Sequence, residues 1–465
     1  MITKVGSYIE IINPTKEVEK WCHDNLIIDN PEYEKKYRLG FWTGNTPKTI
    51  SLYGYSGDRI DIPFGCLRPL LPILQKYSGY IKTCFKYPMH AGTFGEVPLY
   101  DYQKIAVEKM KEAQYGILQS PAGSGKTQMG IALAGMIGHK TLWLTHTKDL
   151  LIQSYERAAQ YTDKQWLGKI TEGKVEIGTA ITFATIQTMC KLDLEQYKDT
   201  WDTIIVDECH RVAGTPTAVT MFSKVLNNLR ARHKYGLSAT VHRADGMIKA
   251  TFAYIGDVVY TVPDEAVKDK VMQVTVIPIS TMIPLDYSVL NPDGTMNYQK
   301  EISYLTSSVE RNKRILQDLV RNKDHYNLIL SERVNHLEEL KSLLPQEEQR
   351  VAEVINGKMT SKKGKAEREQ AIEDIRSGKN HYLFATYQLA KEGLDIPRLD
   401  RLYLVTPQKD YAVIVQSVGR VARVFPGKKS PIVYDYIDAS IGLEKSFKRR
   451  CTHYRKCGCK IGARR

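Results

Sequence analysis

Residues 119–127 read Gln-Ser-Pro-Ala-Gly-Ser-Gly-Lys-Thr, a run of small side chains closed by a cation and a hydroxyl. Small residues let backbone N–H groups come close to phosphate oxygens, so Ser120, Ala122, Gly123, Ser124 and Gly125 form a candidate cradle for a triphosphate. Lys126 would neutralise the β- and γ-phosphates, and the Thr127 hydroxyl would ligate Mg²⁺. Ser120 stands where the usual GxxxxGK[ST] pattern has its first glycine, a substitution that keeps the position small. Further along, Asp207 and Glu208 follow the β-branched run Thr203–Val206. Carboxylates at the end of a parallel strand sit at the sheet edge where ligands bind. Asp207 would hold the Mg²⁺, and Glu208 would orient and deprotonate an attacking water. An isolated glycine turn or acidic strand end is usually structural; the two in this order within one α/β unit point to ATP chemistry.

These groups need a scaffold, and the hydrophobic pattern supplies it. Short apolar runs at 116–119, 141–145, 180–183, 203–206 and 235–237 alternate with helical segments such as 127–137 and 148–160. The rhythm resumes with runs at 327–330, 351–355, 382–385, 401–405 and 432–436, separated by helices at 309–321, 334–344 and 365–377. Continuous apolar runs of this length are what a parallel sheet covered on both faces requires. The spacing predicts two tandem α/β domains, residues 96–262 and 263–465, with 263–305 as linker and insertion around one strand-like run at 271–279. Residues 1–95 mix short strand-like runs with Pro, Gly and Tyr and suit a small α+β accessory module, a candidate DNA-binding domain.

Composition bounds the partners. At 465 residues the chain is too long for one ordinary core, and Lys plus Arg exceed Asp plus Glu by 66 − 52 = 14. That excess favours a polyanion held through phosphate contacts. No run approaches the length of a membrane span, and the first residues lack an apolar signal core, so a cytoplasmic location is expected, the host's if the chain is phage-encoded. The eight cysteines do not form a disulfide framework. Cys451, Cys457 and Cys459 cluster near His453, but Cys-x-Cys spacing does not match the usual zinc knuckles.

The ordered motifs carry a resemblance. SPAGSGKT, DECH at 207–210 and Ser238-Ala239-Thr240 resemble motifs I, II and III of superfamily 2 helicases. The stretch from Phe384-Ala385-Thr386 to Pro397 resembles motif V, and Gln416-Ser417-Val418-Gly419-Arg420-Val421-Ala422-Arg423 resembles motif VI. DECH, the lead-in Leu99–Gln103 and ATYQLAKEGLDIP look most like the XPB/UvsW group, which includes phage-type DNA helicases. The resemblance implies two RecA-like domains and an ATP-dependent motor on nucleic acid, most naturally DNA in forked, branched or duplex form. It implies that Gln103 contacts adenine and that His210 couples the ATP site to Ser238 and Thr240. Gly393 and Asp395 would sense nucleotide across a cleft, Gln416 would join the coupling set, and Arg420 and Arg423 would act as arginine fingers. Thr145, Thr147 and Lys148 resemble one strand-binding motif, Thr185 and Gln187 the next, and Thr386 a contact from the second domain. An RNA helicase, or a nucleotide-switched binding module without turnover, remains open as an alternative.

Two further features lie outside the motifs. The tail carries Lys445, Lys448, Arg449, Arg450, Arg455, Lys456, Lys460, Arg464 and Arg465, a solvated helix face or a phosphate-tracking surface. Tyr33, Tyr37, Arg38 and Trp42 could stack on or clamp nucleic acid, although aromatics in a small module are more often core.

Overall fold

Apolar runs buried on both faces become parallel strands when helices cover each side of the sheet, and the computed structural model contains two such sheets. The structure describes all residues except 87–91, 93, 122, 213–214, 240, 242–246, 268–270, 284–286, 358, 360, 393, 395 and 440; the side chains at 218, 287, 362, 391, 392, 412 and 441 are also left undescribed. The chain divides into two compact units, Met1–Pro121 with Gly125–Pro263 and Ala122–Ser124 with Asp264–Arg465.

The first unit begins with the α+β module. Its strands are β1 (Ile2–Val5), β2 (Tyr8–Ile12), β3 (Ile27–Asp29), β4 (Thr49–Ser51), β5 (Gly54–Ser56), β6 (Arg59–Pro63) and β7 (Ile81–Thr83). Five of them form a sheet in the order β5-β6-β2-β1-β7, antiparallel except for β1 with β7. β3 and β4 form a separate antiparallel ladder, and helix α1 (Pro31–Arg38) lies in the excursion between them.

The module does not keep its own core. Ile9, Ile60, Ile62 and Phe64 belong to the same buried cluster as Tyr115, Ile117, Phe222 and Tyr254 of the adjoining α/β domain. Phe64 meets Tyr115 edge-on at 5.0 Å. A Cβ at Gly65 would run into the backbone of Phe252, Ala253 and Gly256, so only glycine permits this approach.

A buried lysine pins the seam. Lys234 is 1% exposed and donates to the carbonyls of Ser7 (2.7 Å) and Leu226 (2.8 Å). Burial lowers its pKa to about 7, although the Phe64 ring 4.7 Å away favours the ammonium form. Between pH ~7 and ~10 the unfolded chain, with an ordinary lysine, binds more protons than the folded one. Lys234 therefore contributes a stability that rises with pH across that window. We expect the urea midpoint of the wild type, relative to that of Lys234→Met, to climb from pH 7 to pH 10; a flat difference would mean the lysine stays charged in the fold.

The α/β domain of the first unit has strands β8 (Tyr115–Gln119), β9 (Thr141–Thr145), β10 (Leu167–Thr171), β11 (Lys174–Glu176), β12 (Ile181–Thr185), β13 (Thr203–Asp207), β14 (His233–Ser238) and β15 (Val258–Thr261). Their order is β11-β10-β12-β9-β13-β14-β8-β15, parallel but for β11. The sequence pattern does not reveal β10 and β11. Gly168 interrupts the apolar run of β10, and a Cβ there would strike the backbone around Gly178.

The second unit is a wholly parallel sheet of β16 (Thr275–Ser280), β17 (Asn327–Ser331), β18 (Ala352–Ile355), β19 (Tyr382–Thr386), β20 (Arg401–Leu404), β21 (Ile432–Ile437) and β22 (Lys460–Ile461). The order is β18-β19-β17-β20-β21-β16-β22. Segment 263–305, read from the sequence as linker and insertion, supplies β16, which pairs with β21 over six residues. Two RecA-like sheets and a small α+β module are thus the architecture.

Candidate functional site

The parallel strands β12, β9, β13, β14 and β8 end side by side, and most of the first unit's predicted residues lie along that one edge. Strand β8 ends at Gln119, and the glycine-rich loop leads into α3 (Lys126–Ile137). Gly123 and Gly125 hold φ of +84° and +81°, left-handed values that glycine adopts without a Cβ penalty. The loop is anchored where Ser120 N donates to Ser238 O at 2.9 Å, tying it to the end of β14. Ser120 and Ser124 are buried. Lys126 folds back over the loop, its Nζ 3.4 Å from the carbonyls of Ser120 and Pro121. Ala122 lies outside the described residues.

Gln103 sits on helix α2 (Asp101–Ala113), where its Oε1 accepts from Tyr100 N at 2.9 Å. Its Nε2 occupies the space a Cβ would need at Gly125. The amide predicted to read a base is therefore packed directly on the phosphate loop. It is 3% exposed, held by the helix start.

The acidic pair closes the other side. Asp207 ends β13 and is buried; its Oδ1 accepts from Glu208 N at 3.0 Å. Burial pushes its carboxyl up to about 7, and the negative charge of Glu208 adds to the effect. The Lys126 ammonium and a hydrogen bond from Ser154 pull the other way. Ser154, buried on helix α4 (Lys148–Ala158), has no motif signature, and the sequence reading missed it. Asp207 and the Thr127 hydroxyl offer hard oxygen donors, and a buried carboxyl that resists ionising gains most from a divalent cation. The site therefore fits Mg²⁺.

Glu208 holds φ +49°, ψ +50°, a left-handed conformation costing a non-glycine residue about 1–3 kcal/mol. The turn swings the chain off the strand into the short helix 209–211. His210 Nδ1 then lies 3.0 Å from Ser238 Oγ and 3.3 Å from Glu208 Oε2. One imidazole thus touches both the acid and the end of β14. Its Nε2 is buried with no hydrogen-bond partner among the described residues. Thr240 lies outside the described residues.

The first unit's members of the predicted nucleic-acid set occupy the neighbouring stretch of the same edge. Register places Thr145 of β9 directly beside Thr185 of β12. Both are buried, and their hydroxyls serve the scaffold: Thr145 Oγ1 donates to Thr147 O at 3.1 Å, and Thr185 Oγ1 pairs with Thr188 Oγ1 at 2.9 Å. Thr147 caps α4, accepting from Leu150 N at 3.3 Å. Lys148 reaches Glu172 at 2.8 Å, and Gln187 donates to His146 O at 2.9 Å. Thr147, Lys148 and Gln187 are half-buried at the surface.

In the second unit, helix α5 (Tyr411–Val421) carries Gln416 and Arg420 one turn apart on one face. Gln416 Oε1 is buried without a hydrogen-bond partner among the described residues. Arg420 Nε donates to Ala390 O at 3.2 Å, and Arg423 is half-buried just past the helix. Thr386 ends β19, where helix 387–392 starts. Gly393 and Asp395 lie outside the described residues.

The basic tail divides. On helix α6 (Ile441–Lys456), Arg450 is 2% exposed and forms a bidentate pair with Asp435, both bonds 2.8 Å. It is a core anchor and leaves the candidate phosphate surface, whereas Lys445, Lys448, Arg449, Arg455, Lys456 and Lys460 are exposed. Cys459 is buried and Cys457 packs against the same core; all eight cysteines are free thiols. Among the described residues, no helix is long and apolar enough to cross a membrane.

Comparisons with known proteins agree with this geometry. Residues 96–243 match the family model described as type III restriction enzyme, res subunit, and residues 310–425 match the helicase conserved C-terminal domain. A protein of Acanthamoeba polyphaga mimivirus, named as an ATP-dependent RNA helicase, is 28% identical over 421 residues, 87% of this chain and 76% of the relative. The ATP-dependent DNA helicase uvsW of Enterobacteria phage T4 is 23% identical over 355 residues, 73% of this chain and 68% of the relative. The structure of S. cerevisiae Dbp5 bound to RNA and ADP BeF3 shares the fold, with a TM-score of 0.53 and 17% identity over 79% of this chain and 94% of that one.

Proposed function

Because the chain belongs to the superfamily 2 helicases, of the XPB/UvsW-like type, we propose that it is an ATP-dependent DNA motor that translocates on, unwinds or branch-migrates DNA. The observation that carries this reading is the shared sheet edge. The phosphate loop, Asp207 and Glu208, and the His210–Ser238 contact occupy the ends of β8, β13 and β14. The shelf of Thr145 and Thr185 continues that edge through β9 and β12.

ATP lies on the backbone of residues 120–125 with Lys126 on its outer phosphates, and Gln103 beside Gly125 recognises the base. Thr127 and Asp207 would hold Mg²⁺, which supplies charge neutralisation at the β- and γ-phosphates when bound. Glu208 orients the attacking water and takes its proton. Arg420 and Arg423, with Gly393 and Asp395, come from the second unit to the γ-phosphate and ribose, so that hydrolysis requires closure. Thr147, Lys148, Gln187 and Thr386 hold strand phosphates, and Thr145 and Thr185 fix the shelf that presents them. His210, with Ser238, Thr240 and Gln416, links hydrolysis to that shelf. ATP binding then becomes a clamp, and product release reopens it.

The basic excess suits either nucleic acid, and DNA as the track is supported by the named activity of the phage T4 relative. A second reading, an RNA track, is favoured by the name of the mimivirus relative. ATPase rates with single-stranded, duplex, forked and four-way DNA, with matched RNA strands, separate them. We expect DNA to stimulate turnover and RNA to compete poorly. Stimulation by RNA alone would select the second reading, and no response to any nucleic acid would sink both.

A further inference from the structure

The most exposed cluster of large apolar side chains in the first unit lies in the excursion between β3 and β4. Trp42 is 89% exposed, Tyr37 70%, Phe41 64% and Leu39 55%. Burying such groups is the ordinary outcome of folding, so a contiguous exposed set marks a contact surface. The excursion is nevertheless well braced. Asn30 caps α1 through Glu32 N at 3.0 Å and donates to Pro47 O at 2.8 Å, joining the two ends. Lys36 Nζ donates to Thr46 Oγ1 at 2.7 Å, and Phe41 N closes the helix end onto Lys36 O at 2.9 Å.

The aromatic groups are presented in an orderly way. The Trp42 ring lies over Gly44, where a Cβ would come within 2.9 Å of it and where φ is +51°. One part of the indole thus rests on a glycine, and most of it faces solvent. On α1, the Tyr33 and Tyr37 rings stack at 6.2 Å and 8°. Lys35, Arg38 and Lys48 are exposed around the same loop.

We propose that this loop captures unpaired nucleic acid, Trp42 and Phe41 stacking on bases while Lys35, Arg38 and Lys48 contact the flanking phosphates. Cations interleaved with aromatics favour this occupant over an apolar protein partner: every base offers a π face, and the phosphates supply the opposite charge. A preformed loop spends little ordering entropy on contact. The inference rests on the helicase reading and deepens it, by assigning a single-strand site to the N-terminal module separate from the ATPase edge.

The test uses the full chain without nucleotide, titrated with a labelled dT20 strand, a 20-base-pair blunt duplex and U20 RNA. Stacking worth the usual amount per base predicts that Trp42→Ala weakens binding of the single strand roughly 5- to 150-fold. Trp42→Phe should retain most of the affinity, and blunt-duplex binding should change little. Lys35→Ala with Arg38→Ala should flatten the slope of log affinity against log salt by roughly 1.4. ATPase in the absence of nucleic acid should match wild type in every variant, which shows that the fold is intact. Single-strand affinity of Trp42→Ala within twofold of wild type would overturn the proposal, as would equal losses on duplex and single strand. Strand binding and salt slope unchanged in all the variants would likewise overturn it, leaving the exposed loop to a protein partner. If the wild-type chain binds none of the three nucleic acids, the helicase reading itself fails, which is a different result.

Discussion

Arg420→Ala should lower kcat for nucleic-acid-stimulated ATP hydrolysis by about 10³- to 10⁵-fold, the range an arginine finger contributes to phosphoryl transfer. The residue sits on α5 one turn beyond Gln416, and its guanidinium donates through Nε to Ala390 O. As an arginine finger its delocalised charge would act where negative charge develops on the transferring phosphoryl group, stabilising the transition state more than bound ATP. The affinity of a fluorescent ATP analogue should therefore change far less than kcat. Arg420→Lys should remain severely impaired, because an ammonium lacks the planar fork of donors. Arg423→Ala should show a loss of the same kind. Steady-state ATPase together with nucleotide titration reads all three. A loss confined to nucleotide affinity would assign these arginines to ground-state binding.

Glu208→Gln should cost about 10²- to 10⁴-fold in kcat, the usual worth of a positioned general base. Glutamine keeps the size and the left-handed turn but cannot take a proton. ATP and DNA binding should survive, giving a protein held in its ATP-bound form on the strand. Lys126→Ala should behave differently, because it removes a charge that holds the phosphates in bound ATP and holds them more strongly in the transition state: nucleotide affinity and kcat should both fall. Equal profiles for the two variants would show that Glu208 acts through binding and not through water.

The candidate site is legible in the sequence because each of its parts is local. The phosphate loop, Asp207–Glu208 and the Gln416–Arg423 run each occupy a few consecutive residues, and backbone conformation forces small or charged types at fixed positions. The parallel strands were legible too, since burial on both faces leaves unbroken apolar runs. What stayed hidden depends on contacts distant in sequence. Ser154 reaches Asp207, at the end of β13, from helix α4, and a serine there looks like any other. Arg450 reads as one more charge in a basic run until Asp435 is brought opposite it. Trp42 reads from the sequence as a stacking group or, more commonly, as core, and only the fold separates the two by exposing it. The fusion of the N-terminal module to the first α/β domain is invisible for the same reason: Gly65 and Lys234 act on partners far along the chain.

The premise beneath these expectations is that Arg420 and Arg423 complete an active site whose other half is Lys126 and Glu208. A crystal structure of the chain with DNA, Mg²⁺ and ADP plus a tetrahedral or planar fluoride mimic of the γ-phosphate measures it directly. The account predicts at least one of the two guanidinium groups within about 3 Å of the mimic, at hydrogen-bond distance, opposite the Lys126 ammonium. Both guanidinium groups remaining out of contact while the mimic and DNA are fully bound would contradict it.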